Sequence, residues 1–174
     1  MADTRRSLTD LLALLADNTS RAISPQDLRD ALVSAHGTYG MMYTKDGSTA
    51  QGSIGTSFAQ LTGFAVDGLS GGTTPANATD DITVGTDGVY AVMLQASFTG
   101  TAATEFTLNL HVNDAEGVFQ CSQMLDAAGA VVSGSVFGLL SLSATDDVSV
   151  YVKADGASKS ITIEDLQMFV LRIA

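Results

Sequence analysis

Catalysis in this chain would have to come from very few reactive side chains. The sequence holds two histidines, His36 and His111, and one cysteine, Cys121. His36 stands at a predicted helix end, and strand alternation places His111 on a wet face. A Ser-His-Asp set assembles in space, so spacing alone does not decide against one. The local signatures of other chemistries are absent: no nucleophile elbow, phosphate loop, HExxH or EF-hand pattern occurs. A single cysteine excludes an intrachain disulfide and any multi-cysteine metal site. With no basic neighbour in sequence, Cys121 reads as a buried, inert thiol. Three acidic pairs, Asp80-Asp81, Asp146-Asp147 and Glu164-Asp165, could meet a cation at a subunit interface, because hard ions take carboxylate oxygens. The plainer reading is solvated turn residues. Tyr39, Met41, Met42 and Tyr43 form an apolar patch that serves either local packing or contact with a partner. The expectation is a protein that is not an enzyme, with no catalytic residue, cofactor or metal.

The elements that would position these groups follow from composition and period. At 174 residues with 45% apolar and 16% charged residues, the chain is globular and holds one domain plus an appendage. No apolar run approaches the ~20 residues that span a bilayer, and the N-terminus lacks the layout of a secretory signal. Charge is unevenly divided. Residues 1–45 carry five basic against five acidic residues, while 46–174 carry Lys153, Lys159 and Arg172 against fourteen acids. No Lys or Arg lies between Lys45 and Lys153. Such a body repels phosphate backbones, so nucleic acid is not an expected partner.

Residues 4–17 read as a helix, with Leu8, Leu11, Leu12 and Leu15 on one stripe. A second helix starts at Ser24 as N-cap, with Pro25 at its first position and Asp27 at its third; Leu28, Leu32 and Val33 give it an apolar side. Two such helices have too little core to stand alone. They pack on their own domain, grip a partner, or bundle with symmetry mates. A Gly/Ser/Thr-rich connector follows, with one strand near Thr56–Phe64. From Ile82 onward, period-two strands are expected near 82–84, 88–99, 104–113, 117–123, 129–142, 146–153 and 158–173, separated by turn signals. Strands without intervening helices imply an antiparallel sandwich or barrel. The division is thus a helical arm at 1–45, a linker at 46–55 and a β domain at 56–174. The last strand is apolar on both faces: Leu166, Met168 and Val170 on one, Phe169, Leu171 and Ile173 on the other. Its second face needs a cover, and another subunit is the economical one.

Three segments together carry a family resemblance. They are Ile82-Thr83-Val84 with Asp87-Gly88-Val89-Tyr90-Ala91-Val92, the run from Leu140 to Val150 (LSLSATDDVSV), and the closing Met168-Phe169-Val170-Leu171. Their order and spacing resemble the TNF/C1q-like jelly roll over residues 55–174, which implies a homotrimer with Leu166, Met168, Phe169, Val170, Leu171 and Ile173 at its interface. Departures are the absence of tryptophan and an irregular stretch at 114–135. The phrase LLALLADNTSRAISPQDLRDALVS (11–34) resembles a helical segment that precedes β domains in virion proteins of tailed bacteriophages, of head-decoration, head-fibre or tail-associated type. That resemblance implies a structural virion protein made in the host cytoplasm: a trimeric decoration or cement protein on the capsid surface. Its arm, through Leu8, Leu11, Leu12, Leu15, Leu28 and Leu32, would hold the major capsid protein. The alternative is a receptor-binding or tip module of a tail fibre or spike. Its loops lack the aromatic platforms such a module is expected to show.

Overall fold

A computed structural model describes Asp10, Ala13 and residues 24–174 except His36 and Thr49. The leucine stripe of Leu8, Leu11, Leu12 and Leu15 lies outside the described residues, as does His36. Helix α1 (Pro25–Ala35) begins where its cap signal falls. Ser24 N–H donates to Asp27 Oδ2 at 2.8 Å, and Asp27 N–H donates back to Ser24 Oγ at 3.2 Å. This reciprocal pair satisfies two amides that the first turn would otherwise leave orphaned. Ser24→Ala is expected to remove about 1 kcal/mol of helix stability, read as lost helical ellipticity with the β signal unchanged.

Among the described residues, twelve strands follow α1: β1 (Tyr39–Thr44), β2 (Ala50–Ile54), β3 (Ala59–Gln60), β4 (Val66–Gly71), β5 (Thr73–Ala76), β6 (Asp81–Val84), β7 (Gly88–Gly100), β8 (Thr104–Val112), β9 (Ala115–Leu125), β10 (Val132–Leu142), β11 (Asp147–Ala154) and β12 (Lys159–Arg172). They build two antiparallel sheets. The first runs β10-β7-β12-β1-β4, with β2 also on β12; the second runs β5-β6-β11-β8-β9, with β3 also on β11. The chain crosses between sheets at β6–β7, β7–β8, β9–β10, β10–β11 and β11–β12, which is jelly-roll wiring. Only the β8–β9 link of the second half is a tight hairpin. Its two turn residues, Asn113 and Asp114, have φ of 50° and 63°, the left-handed pair a type I′ turn requires.

The core lies between the sheets and comes from the inward half of each alternation. Tyr90, Val92, Leu94, Ala96 and Phe98 of β7 face Phe106, Leu108 and Leu110 of β8 and Val148, Val150 and Val152 of β11; all are buried. Phe98 and Phe106 meet edge to face with centroids 5.9 Å apart, a geometry that adds to the area they bury.

Two expectations are corrected here. Residues 39–44, placed in the arm, form β1, which pairs with both β12 and β4. Residues 50–54, placed in the linker, form β2 on β12. The β body therefore starts at Tyr39. Gly40 and the glycines of β2 and β4 gave this region the composition of a connector, whereas Met42 and Ile54 are buried core residues. Conversely, the strand expected across 56–64 shrinks to the two residues of β3, though Leu61 and Phe64 still fill the core.

Candidate functional site

Strand order and register turn the outward half of the first sheet into one continuous surface. Across β10, β7, β12 and β1, Phe137 pairs with Met93, Met93 with Phe169, and Phe169 with Met41. The adjacent row reads Leu139, Ala91, Leu171 and Tyr39. Neither row contains a charge. Phe137 is 64% exposed, Leu139 52%, Met93 47% and Ile173 52%. Toward the other end of the sheet the next row turns polar, with Ser135, Gln95 and Gln167. Glycines on β4 flatten the patch: a Cβ at Gly68 would stand 2.4 Å from Met41 Cγ, and one at Gly71 would stand 3.1 Å from the Tyr39 ring. Four strands side by side span roughly 15–20 Å. Exposed apolar patches of this size, rimmed by polar residues, commonly mark contact surfaces in soluble proteins.

The structure divides the expected interface residues. Leu166, Met168 and Val170 are fully buried in the chain's own core, so an interface role for them is corrected. Phe169 and Leu171 are partly exposed and Ile173 is open, and they lie in or beside the apolar rows. Tyr39 and Met41 come from the patch read as packing or partner contact, whose Met42 is buried. Met93, Phe137 and Leu139 complete the face, and sequence reading had not assigned them to it. Each is the apolar outward residue of its strand, but only strand order shows that they adjoin. Leu28 and Leu32 of α1 are more than half exposed.

One member of each acidic pair accepts hydrogen bonds within the chain. Asp80 Oδ1 accepts the amides of Gly63 and Phe64 at 3.0 and 2.9 Å. Asp146 accepts Asn113 Nδ2 at 2.7 Å and the Ser143 amide at 2.8 Å. The Asn113 bond, then the Ser143 amide, hold its carboxyl below the usual carboxylate range. This pair of bonds stabilises the native state above that range and is lost as pH falls through the depressed value. Asp165 Oδ2 accepts Ser97 Oγ at 3.0 Å. Cys121 is half-buried, and burial pushes its thiol up, which suits an unreactive sulfur. A cleft of about 280 Å³ beside Thr44, Lys45, Gly47 and Gly63 has its backbone groups engaged: Gly47 N–H donates to Glu164 O, and Thr44 Oγ1 donates to Gly63 O.

His111 contradicts its wet-face expectation, for it is 3% exposed. It does point away from the core, but side chains cover it. Its ring stacks on Tyr151 at 3.7 Å and meets Phe58 edge-on at 5.4 Å. Its Nδ1 lies 3.0 Å from the Asp114 carbonyl oxygen; a carbonyl only accepts, so Nδ1 carries the proton. Tyr151 Oη donates to Asp114 Oδ1 at 2.7 Å. Desolvation, followed by that bond and the charges of Asp114 and Asp147, pushes the phenol up to about 12. A raised acid pKa favours the neutral native form. Stability is therefore whole below the ordinary value of 10 and falls as pH rises from there to about 12. The difference between tyrosinate absorbance titrations of the wild type and Tyr151→Phe is expected to show this late ionisation.

Among solved structures, the chain is similar to Eiger TNF from S. frugiperda at 18% identity and TM-score 0.56, over 79% of this chain and 93% of that one. It is similar to the globular domain of zebrafish complement 1qA at 16% identity and TM-score 0.54, over 78% and 96%. Murine APRIL gives 14% identity and TM-score 0.51, over 78% and 99%. No family model and no curated protein matches the sequence. The fold is a TNF/C1q-like jelly roll.

Proposed function

We propose that this chain is a homotrimeric structural protein of a tailed-phage virion, decorating the capsid exterior, with its N-terminal arm as anchor. The observation that carries the assembly is the uncharged apolar face of Phe137, Met93, Phe169 and Met41 beside Leu139, Leu171 and Tyr39. On a body this acidic, water-exposed rows of that kind are stabilised when copies of the chain cover one another. The similar solved structures include a TNF and a complement 1qA globular domain, which fits a compact self-assembling jelly roll.

The capsid role draws on the arm. Residues 1–38, ahead of β1, carry four basic against five acidic residues, while the rest of the chain carries four against fourteen, so the arm can approach an acidic shell with the least repulsion. Leu8, Leu11, Leu12 and Leu15 on one predicted helix, with Leu28 and Leu32 on α1, supply its apolar side. Purified protein added to undecorated heads is expected to bind at high copy number. A Leu12→Asp variant is expected to remain a folded trimer and fail to bind. Normal occupancy by that variant would assign attachment to the β body instead.

A further inference from the structure

The outward face of the second sheet is unlike that of the first. It is polar, and on it three buried side-chain atoms have no hydrogen-bond partner: His111 Nε2, Ser149 Oγ and Asp147 Oδ1. Ser149 stands opposite His111 in the β8–β11 register, and Asp147 is two residues along β11 on the same face. His111 is 3% and Ser149 1% exposed. Buried polar atoms are nearly always paired, so three unused ones on one face need a reason.

The aromatic neighbours give one. Tyr151 backs the imidazole, and Phe58 covers it from the segment between β2 and β3. That segment is fixed on both sides, by Ala154 N–H to Gly55 O and by Leu61 N–H to Val150 O, each 2.8 Å. Between these anchors, among the described residues, Thr56, Ser57 and Phe58 make no backbone hydrogen bond outside the strand ladders. Moving the Phe58 ring off the imidazole therefore breaks no backbone hydrogen bond of these three residues outside the ladders.

We propose that Phe58, Tyr151, His111, Ser149 and Asp147 form a gated binding site for a neutral pyranose, independent of the trimer face on the opposite sheet. The chemistry of the ligand follows from the groups. With Nδ1 protonated, Nε2 is an acceptor, as is the carboxylate oxygen, while the serine hydroxyl serves either way. The site thus asks for donors. Among the described residues no group of three His, Cys, Asp or Glu side chains is placed to hold a metal ion. The net charge of −11 repels an anion. What remains is a neutral ligand with adjacent hydroxyl donors and an apolar C–H face to lie on the Tyr151 ring, which describes a sugar ring.

The test is a titration of the full chain with the methyl glycosides of glucose, galactose, mannose, fucose and N-acetylglucosamine. The chain has four tyrosines and no tryptophan, so tyrosine emission reports on Tyr151 unmasked, with amide chemical shifts as a second readout. At least one glycoside is expected to bind saturably with a Kd of order 1 mM. Phe58→Gly, which opens the gate, is expected to tighten it. Ser149→Ala is expected to weaken binding about tenfold while raising Tm, because it deletes an unpaired buried hydroxyl together with a ligand contact. A purely structural serine would lower Tm and leave affinity alone, and that result would overturn the proposal. So would no saturable signal from wild type and Phe58→Gly up to about 50 mM, or binding that survives both Ser149→Ala and His111→Phe unchanged.

Discussion

Phe169→Asp is expected to turn the proposed trimer into a folded monomer. Phe169 lies mid-strand in β12, between Met93 of β7 and Met41 of β1, and belongs to the outward half of the alternation. Its substitution touches no residue of the inner core, so the sandwich keeps its packing. At the interface the change is large. It removes an aromatic contact worth about 1.5–3 kcal/mol when buried, and the carboxylate would have to be desolvated against Phe137, Met93 and Met41 with no cation in the patch. A homotrimer carries the substitution three times, which multiplies the effect on association. Light scattering is expected to give three times the 17.9 kDa chain mass for the wild type and a single chain mass for the variant. Circular dichroism is expected to stay unchanged. A wild type that is monomeric at working concentrations, or a variant that still trimerises, would remove the first sheet from the interface.

Much of this architecture is legible in the sequence because alternation survives wherever one face of a strand is buried. The runs of β7, β8, β10, β11 and β12 announce themselves that way, and so does the capped start of α1 at Ser24. Alternation is silent where glycine does the structural work. Gly40 faces inward on β1 beside Met42, and Gly68 and Gly71 leave room on β4 for the side chains of Met41 and Tyr39, so these strands pass for a connector. Alternation also assigns a side without saying what covers it. His111 does point outward, yet Phe58, more than fifty residues earlier, and Tyr151 bury it. For the candidate interface, the two faces of β12 were readable, but which one a partner could reach was not. That depended on β12 lying between β7 and β1, which makes its Leu166 face the floor of the core. The apolar rows needed the same information, since Phe137, Met93, Phe169 and Met41 become neighbours only through a strand order that no local pattern encodes.

Val170→Asp, one residue further along the same strand, is expected to have the opposite outcome: loss of the fold. Val170 is 0% exposed and pairs with Val92 on one side and Gly40 on the other. Its side chain points into the space between the sheets, among Val92, Leu94 and Met168, all at 0% exposure. None of these offers a donor or a cation. A carboxylate there must be desolvated without compensation or take up a proton to become neutral, and a buried unpaired charge costs about 3–5 kcal/mol or more. A valine's share of apolar burial is lost as well, about 1.5 kcal/mol. Against a typical domain stability of roughly 5–15 kcal/mol, the variant is expected to be largely unfolded or insoluble. Any folded fraction should gain stability as pH falls, because protonation of the introduced carboxyl relieves the penalty. Urea denaturation across pH measures both effects. If Val170→Asp folded with wild-type stability while Phe169→Asp unfolded, β12 would have to be turned over and its two faces exchanged. Dissociation at 169 beside collapse at 170 is the result that a strand with one face in the core and one toward a partner requires.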